Sequence, residues 1–255
     1  MSVVLKKKAI IAENRKIAPE IYSMWLEAPE IANIAKPGQF VSLYCDGESK
    51  LLPRPISICE IDRLQKRVRL VYRIAGKGTL EFAGKKAGDL IEAMGPIGNG
   101  FTPDGAKAIL IGGGIGIPPM LELAKQMNGE IDIVLGYRDH TFLEQEFEPY
   151  GRVHIATEDG SKGTKGNVLD AIREKQLRAD VIYACGPTPM LKGVKAYAGD
   201  LGIKAWLSLE ERMACCVGAC LGCVCKTKDI DHHSMVHNQR VCKDGPVFDA
   251  EEVEL

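Results

Sequence analysis

Along the first hundred residues apolar and polar positions alternate in short runs, with no sustained helical period. IYSMWLEA, QFVSLYC, ISICEI, RVRLVYRI and DLIEAMG are rich in β-branched and aromatic residues and bounded by Pro, Gly and Asp, so each reads as a strand. Several short strands at this spacing predict a small antiparallel β-barrel over residues 1–103. From Lys107 the pattern changes. An apolar run to Ile111 meets a glycine-rich turn, Gly112–Gly116, and Pro118 then opens a helix through Met127. Strand-like runs recur at Ile131–Gly136, Val153–Thr157, Val181–Cys185 and Lys204–Leu207, with helical stretches around 141–147, 167–176 and 188–201. That alternation predicts a parallel, doubly wound, Rossmann-like α/β domain over 104–208, with ligands at the carboxyl ends of its strands. Residues 209–255 hold too little apolar material for a core of their own and are expected as a small exposed lobe.

The lobe carries the strongest chemical signal. Five of the nine cysteines fall within Glu210–Cys225, and Cys242 follows. Cys215, Cys220 and Cys223 read C-x4-C-x2-C, the spacing by which plant-type ferredoxins hold three corners of a [2Fe–2S] cluster. Cys242 is the natural fourth ligand. Cys216 and Cys225 are the expected spares. Zinc would also take four thiolates, usually as two C-x2-C pairs, and disulfides would need an oxidising compartment. His232, His233 and His237 sit between the third and fourth cysteines and read as a solvated loop.

Composition narrows the setting. A chain of 255 residues with a formal charge of −1 buries a real core and gives no electrostatic case for nucleic acid or an acidic membrane surface. No apolar run reaches the ~18 residues needed to span a bilayer, and the lysine-rich start lacks a signal core. A cytoplasmic location is therefore expected, where a cysteine cluster binds metal more often than it pairs.

Two further places carry chemistry. Arg54-Pro55-Ile56-Ser57 offers a fixed cation and a hydroxyl on a stiff strand, suited to a phosphate and a flavin ring. Gly76-Lys77-Gly78-Thr79 reads as a glycine-rich turn whose amides face a pyrophosphate. The Gly112–Gly116 turn and Cys185-Gly186-Pro187 end two strands and open onto one crevice, a candidate cofactor site. It is not the G-x-G-x-x-G fingerprint, because Ile117 stands where the last Gly belongs. Tyr137-Arg138-Asp139 offers both a cation for a 2′-phosphate and an acid for a hydroxyl, which leaves NAD and NADP both open. Cys45 and Cys59 read as core, and His140 and His154 as surface or structural residues.

Taken in order, PGQFV, RPIS, GKGT, GDLIEAMGPIGNGF, GGGIGIPPM, CGPTPM and SLEERMACCVGAC resemble the ferredoxin-reductase superfamily. Over essentially the whole chain they resemble, more closely, the electron transfer subunits of NAD-dependent (type 1B) dihydroorotate dehydrogenase. The resemblance implies a barrel that binds FAD through Arg54, Pro55, Ile56, Ser57, Val71, Tyr72, Arg73, Gly78 and Thr79. It implies a nicotinamide nucleotide site at Gly112, Gly113, Gly114, Gly116, Cys185, Gly186 and Pro187. Ser57 would stand near the flavin N5, Cys185 and Glu210 would shape the nicotinamide pocket, and Cys215, Cys220, Cys223 and Cys242 would hold the cluster. The implied activity belongs to pyrimidine biosynthesis. Electrons from the FMN of a dihydroorotate-oxidising partner cross the cluster singly, pair on FAD and leave as hydride to NAD, in a heterotetramer of two copies of each subunit. Cys216 departs from the family's usual Gly, and the Cys223–Cys242 stretch is longer than usual. A flavin reductase serving another partner (a sulfide dehydrogenase, hydrogenase or ferredoxin) and a zinc-stapled interaction module are the competing readings.

Overall fold

A computed structural model of the chain describes residues 5–46, 51–104, 107–230 and 235–255. The expected barrel forms from β1 (Leu5–Ala18), β2 (Ile21–Glu27), β3 (Phe40–Tyr44), β4 (Arg54–Asp62), β5 (Arg67–Arg73) and β6 (Leu90–Ile97). The strands close in the order β1-β2-β5-β4-β3-β6, and every pairing is antiparallel. Alternation along β2 and its neighbours turns Met24, Leu26, Leu43, Ile58, Leu70 and Ile91 inward, so closure is driven by one continuous apolar filling. A short helix α1 (Pro29–Ile34) starts at a proline and ends after one and a half turns.

One expectation is corrected here. Gly76–Thr79 is not a free turn but the start of helix α2 (Lys77–Gly84). The Thr79 hydroxyl accepts from the Ala75 and Gly76 amides at 2.9 and 3.2 Å, which satisfies donors that a helix start leaves unpaired.

The second unit contains β7 (Lys107–Gly113), α3 (Pro118–Gln126), β8 (Glu130–Tyr137), α4 (Glu144–Phe147), β9 (Arg152–Thr157), β10 (Thr164–Lys165), α5 (Val168–Glu174), β11 (Val181–Cys185), α6 (Thr188–Leu201) and β12 (Lys204–Ser208). A single 3-10 turn, Gly114–Gly116, joins β7 to α3. The strands run parallel, and β7 and β11 are buried on both faces, as an internal parallel strand must be.

Residues past β12 form a ribbon of β13 (Val224–Lys226) and β14 (Asn238–Arg240), then β15 (Val247–Asp249). β15 pairs antiparallel with β12, Leu207 opposite Phe248, and completes a sheet of order β10-β9-β8-β7-β11-β12-β15. The lobe thus gains the core it lacks by sharing one. Cys216, Cys223, Val241, Cys242 and Phe248 pack in a single apolar cluster with Phe40 and Ile97 of the barrel and Ile182 and Leu207 of the sheet. Asn99, beyond β6, ties barrel to lobe: its side chain donates to the Asp244 and Val247 carbonyls and accepts from the Val247 amide. His232 and His233 lie outside the described residues. The His237 ring is hydrogen-bonded to the Lys228 carbonyl at 2.7 Å. No helix among the described residues is long and apolar enough to cross a membrane.

A buried cation fixes the barrel against the second unit. Arg69 of β5, 4% exposed, meets Glu60 of β4 at 2.6 Å, donates to Ser23 at 2.8 Å and pairs with Glu146 of α4. Arg69→Ala strands these acceptors at a half-buried junction. We expect it to lower unfolding free energy by about 3 kcal/mol, read as a shift of the urea midpoint. An unchanged midpoint would show that the junction does not depend on this cation.

Candidate functional site

The site begins where β4 and β5 turn their open faces toward the second unit. Arg54–Ser57, Val71–Arg73 and Thr79 line a cavity of ≈ 370 Å³, closed from the far side by Ile115, Ser208, Glu210, Met213 and Pro246. Pro55 keeps β4 stiff where it enters the barrel, so Arg54 projects from a fixed point. Arg54 lies across the first turn of α2. A Cβ built on Gly78 would stand 2.1 Å from Arg54 Nε, so a side chain there would push the guanidinium off this turn. A helix N-terminus and a fixed guanidinium converge, an arrangement suited to a phosphate group. The cavity wall beyond it is mainly apolar, as a planar ring system requires.

A second pair of openings lies at the carboxyl ends of β7, β8 and β11. One, ≈ 220 Å³, is bordered by Gly113, Gly114, Gly136, Asn167, Pro187 and Met190; the other, ≈ 320 Å³, by Tyr137, Arg138, Asp139 and His140. Here the strand order reverses between β7 and β11, the place where doubly wound sheets bind nucleotides. The two glycine turns pack directly on each other. A Cβ on Gly116 would stand 2.4 Å from the Cys185 carbonyl oxygen, so glycine is obligatory for that approach. Arg73 borders the flavin-sized cavity and both of these openings.

Not every expected residue faces a cavity. Gly113, Gly114 and Pro187 do; Gly112, Gly116, Cys185 and Gly186 border none of these openings. Cys185 is 1% exposed, and burial, reinforced by the charge of Glu210, pushes its thiol well up while Ser208 acts against. It reaches the cavity only through those two neighbours. Glu210 opens onto the cavity and remains exposed to solvent. Desolvation by the protein atoms packed around its carboxyl raises it above the usual range, and Arg73 acts against it. Phe40, Ile115, Ser208, Met213 and Pro246 complete the wall and had no signal of their own in the sequence. Cys59 and His154 are structural: the first is fully buried, the second bonds Asp132 at 2.8 Å.

The thiols gather behind Met213. The Val217, Ala219 and Cys220 amides point at Cys215 Sγ from 3.5, 3.3 and 3.4 Å. The Gly218 amide donates to Cys242 Sγ at 3.2 Å, and the Cys242 amide to Cys223 Sγ at 3.4 Å. Burial raises the Cys215 thiol, but these amides and Cys220 outweigh it and bring it down to about 6. Burial and neighbouring Cys223 push Cys242 up to about 12. A loop that aims so many N–H groups at sulfur is built for thiolates, the form that binds metal. A dinuclear cluster would take two thiolates at each iron. Arg240, 7% exposed, holds the loop by bonding Asp244 at 2.8 Å and the Gly218 carbonyl at 3.3 Å. Cys216 and Cys225 stand aside, the first against Met213 and the second on β13.

Known proteins share these parts. Residues 210–254 match the model for the iron-sulfur cluster binding domain of dihydroorotate dehydrogenase B, and residues 110–196 the oxidoreductase NAD-binding domain. The dihydroorotate dehydrogenase B (NAD(+)) electron transfer subunit of Bacillus velezensis is 44% identical over 260 residues, covering 98% of this chain and 99% of its own. The same subunit of Fusobacterium nucleatum is 44% identical over 96% of this chain and 97% of its own. A chain of the NADH-dependent reduced ferredoxin-NADP oxidoreductase superposes with a TM-score of 0.86 at 30% identity, covering 96% of this chain and 89% of that one. With barrel, nucleotide crevice and thiol loop in one chain, and this identity over nearly its full length, the chain belongs to the family of dihydroorotate dehydrogenase B electron transfer subunits.

Proposed function

We propose that this chain takes electrons from a dihydroorotate-oxidising, FMN-containing partner and delivers them to NAD, using a [2Fe–2S] cluster and FAD. The observation that carries this reading is Met213, which borders the flavin-sized cavity while its sulfur touches the thiol loop. When bound, the cluster exchanges single electrons, and the flavin converts pairs of them into a hydride for nicotinamide. The residues of the chain position these groups. Arg54, Gly78 and the α2 N-terminus hold the FAD phosphates, while Pro55, Ile56, Val71 and Tyr72 wall the ring and Ser57 presents its hydroxyl near N5. Gly113, Gly114 and Pro187 would face the nicotinamide nucleotide, and Glu210 and Ser208 would shape its pocket with Cys185 buried behind them. Cys215, Cys220, Cys223 and Cys242 hold the cluster.

Exposed apolar residues around the thiol loop, Val217 and Leu221, sit beside exposed Cys220. We assign this face to the partner, in a heterotetramer of two copies of each subunit in the cytoplasm. The protein purified without oxygen should contain about two irons and two labile sulfides per FAD, and NADH should bleach flavin and cluster together. Flavin without iron would reduce the reading to a simple flavin reductase.

Arg73 stands at the junction of all three cavities and is placed to hold the pyrophosphate of the nicotinamide nucleotide from the barrel side. Arg73→Gln removes a charge-assisted contact, so NADH should bind about tenfold more weakly, ~1.4 kcal/mol, with FAD content unchanged. Fluorescence titration with NADH measures it. Loss of FAD at unaltered NADH affinity would move Arg73 to the flavin alone.

A further inference from the structure

Cys216 is costly where it stands. Its backbone has φ 59°, the left-handed region that residues other than glycine enter at a penalty. The side chain is nevertheless turned fully inward, 1% exposed, with its thiol 4.0 Å from the Met213 sulfur. Ser42 of β3, close enough to influence the Cys216 thiol, is a buried hydroxyl with no hydrogen-bond partner among the described residues. Met213 in turn borders the cavity that holds Ser57 and Glu210. The chain of contact is therefore short: Cys215, the peptide bond to Cys216, one sulfur–sulfur contact, and the cavity wall. Sulfur is the most polarizable atom of the common side chains, and a pair in van der Waals contact couples electronically better than aliphatic carbons would. Strain kept at a buried residue asks for a function, and a glycine here would relieve the strain and remove the contact.

We propose that Cys216 and Met213 form the electronic contact through which electrons pass between the cluster and the flavin. The inference rests on the cofactor assignment above. No bond of Cys216 or Met213 is made or broken, and neither is oxidised or reduced. In the NADH-driven direction, hydride leaves NADH for the flavin. Each of two passages then carries one electron to the cluster, which the FMN of the dihydroorotate-oxidising partner reoxidises between them, and the flavin returns its proton to water. Cys216 and Met213 are positioning residues for this transfer, not ligands.

The test uses the cofactor-loaded protein. Met213→Leu keeps the volume and lies outside the ligand loop, Cys216→Ala removes the second sulfur, and Cys216→Gly removes it without the backbone penalty. NADH is mixed rapidly with each variant, and flavin and cluster absorption are followed separately. Electron arrival at the cluster, taken relative to flavin reduction in the same variant, should slow about tenfold, ~1.4 kcal/mol of barrier. Electron paramagnetic resonance gives a readout apart from turnover. The cluster signal and its midpoint potential should stay unchanged, while relaxation of the flavin radical by the reduced cluster weakens. Wild-type transfer and relaxation in Met213→Leu, with iron and flavin intact, would overturn the proposal and leave a direct jump from the Cys215 side. A wild-type protein without iron or flavin would instead defeat the cofactor assignment itself. If Cys216→Ala alone sheds iron while Met213→Leu transfers normally, Cys216 is a packing residue and the proposal fails.

Discussion

Replacing Cys220 by serine should give a protein that keeps its FAD but carries no cluster, with iron falling from about two per chain to near zero and the cluster's visible absorption gone. The effect is large because a serine hydroxyl stays protonated at neutral pH, and its hard oxygen is a poor substitute for a soft thiolate at iron. Cys220 is the most informative of the four cysteines because it is exposed, whereas Cys223 and Cys242 are each 2% exposed. A serine at either buried position would leave a poorly paired hydroxyl in the shared core, at ~1–3 kcal/mol, so loss of metal and loss of packing would be confounded. At Cys220 the packing cost is absent and the change should stay within about 0.5 kcal/mol before metal is considered. Neighbouring Cys216 cannot take over, since its thiol is directed at Met213 and lies buried. The Arg54 cradle and the β4–β5 wall lie in the barrel, so flavin should remain and NADH should still reduce it. Electron exchange with the dihydroorotate-oxidising partner should stop. Retention of the cluster's absorption in Cys220→Ser would remove this residue from the ligand set.

What the sequence revealed and hid follows from the range of the forces involved. The strands of the barrel were legible because β-branched and aromatic residues cluster between turn residues, as in β2 and β5. The parallel strands were legible as unbroken apolar runs, and the thiol loop by spacing alone. Helix α2 was hidden because it opens on glycines, residues that favour turns, and its start is satisfied by Thr79 rather than by a side chain before it. β15 was hidden because three residues carry no period, and its partner β12 is separated from it by the whole thiol loop. That pairing decides where the cysteines sit, so the lobe's shared core was hidden with it. The glycine turns pointed to a crevice but not to Arg73, which enters the crevice from the barrel and belongs to no motif of the second unit. Met213 was hidden for a similar reason: its contact with Cys216 is three residues away along the chain, yet its role depends on a cavity built from distant strands.

Gly116→Ala is the substitution expected to cost the nucleotide site most. The added methyl would stand 2.4 Å from the Cys185 oxygen, 2.5 Å from its carbonyl carbon and 2.6 Å from the Gly186 nitrogen. All three are main-chain atoms, so no rotamer change relieves the clash. The 3-10 turn must move away from the end of β11. That movement is opposed by the ladder, which pairs Gly112 with Cys185 and Ile111 with Ala184, and by α3, whose first turn follows within two residues. Overpacking of this kind costs roughly 1–3 kcal/mol. The same displacement withdraws Gly113 and Gly114 from the nucleotide, so NADH should bind at least about tenfold more weakly, ~1.4 kcal/mol. The barrel wall and the thiol loop do not rest on this contact, so iron and FAD contents should match the unsubstituted protein. Thermal unfolding, NADH titration and a cofactor count on one preparation decide the matter. A lower melting temperature with weakened NADH and full cofactors places the nucleotide at the paired glycine turns. Full NADH affinity despite the lower melting temperature would mean that the turns pack the sheet together but do not receive the nucleotide.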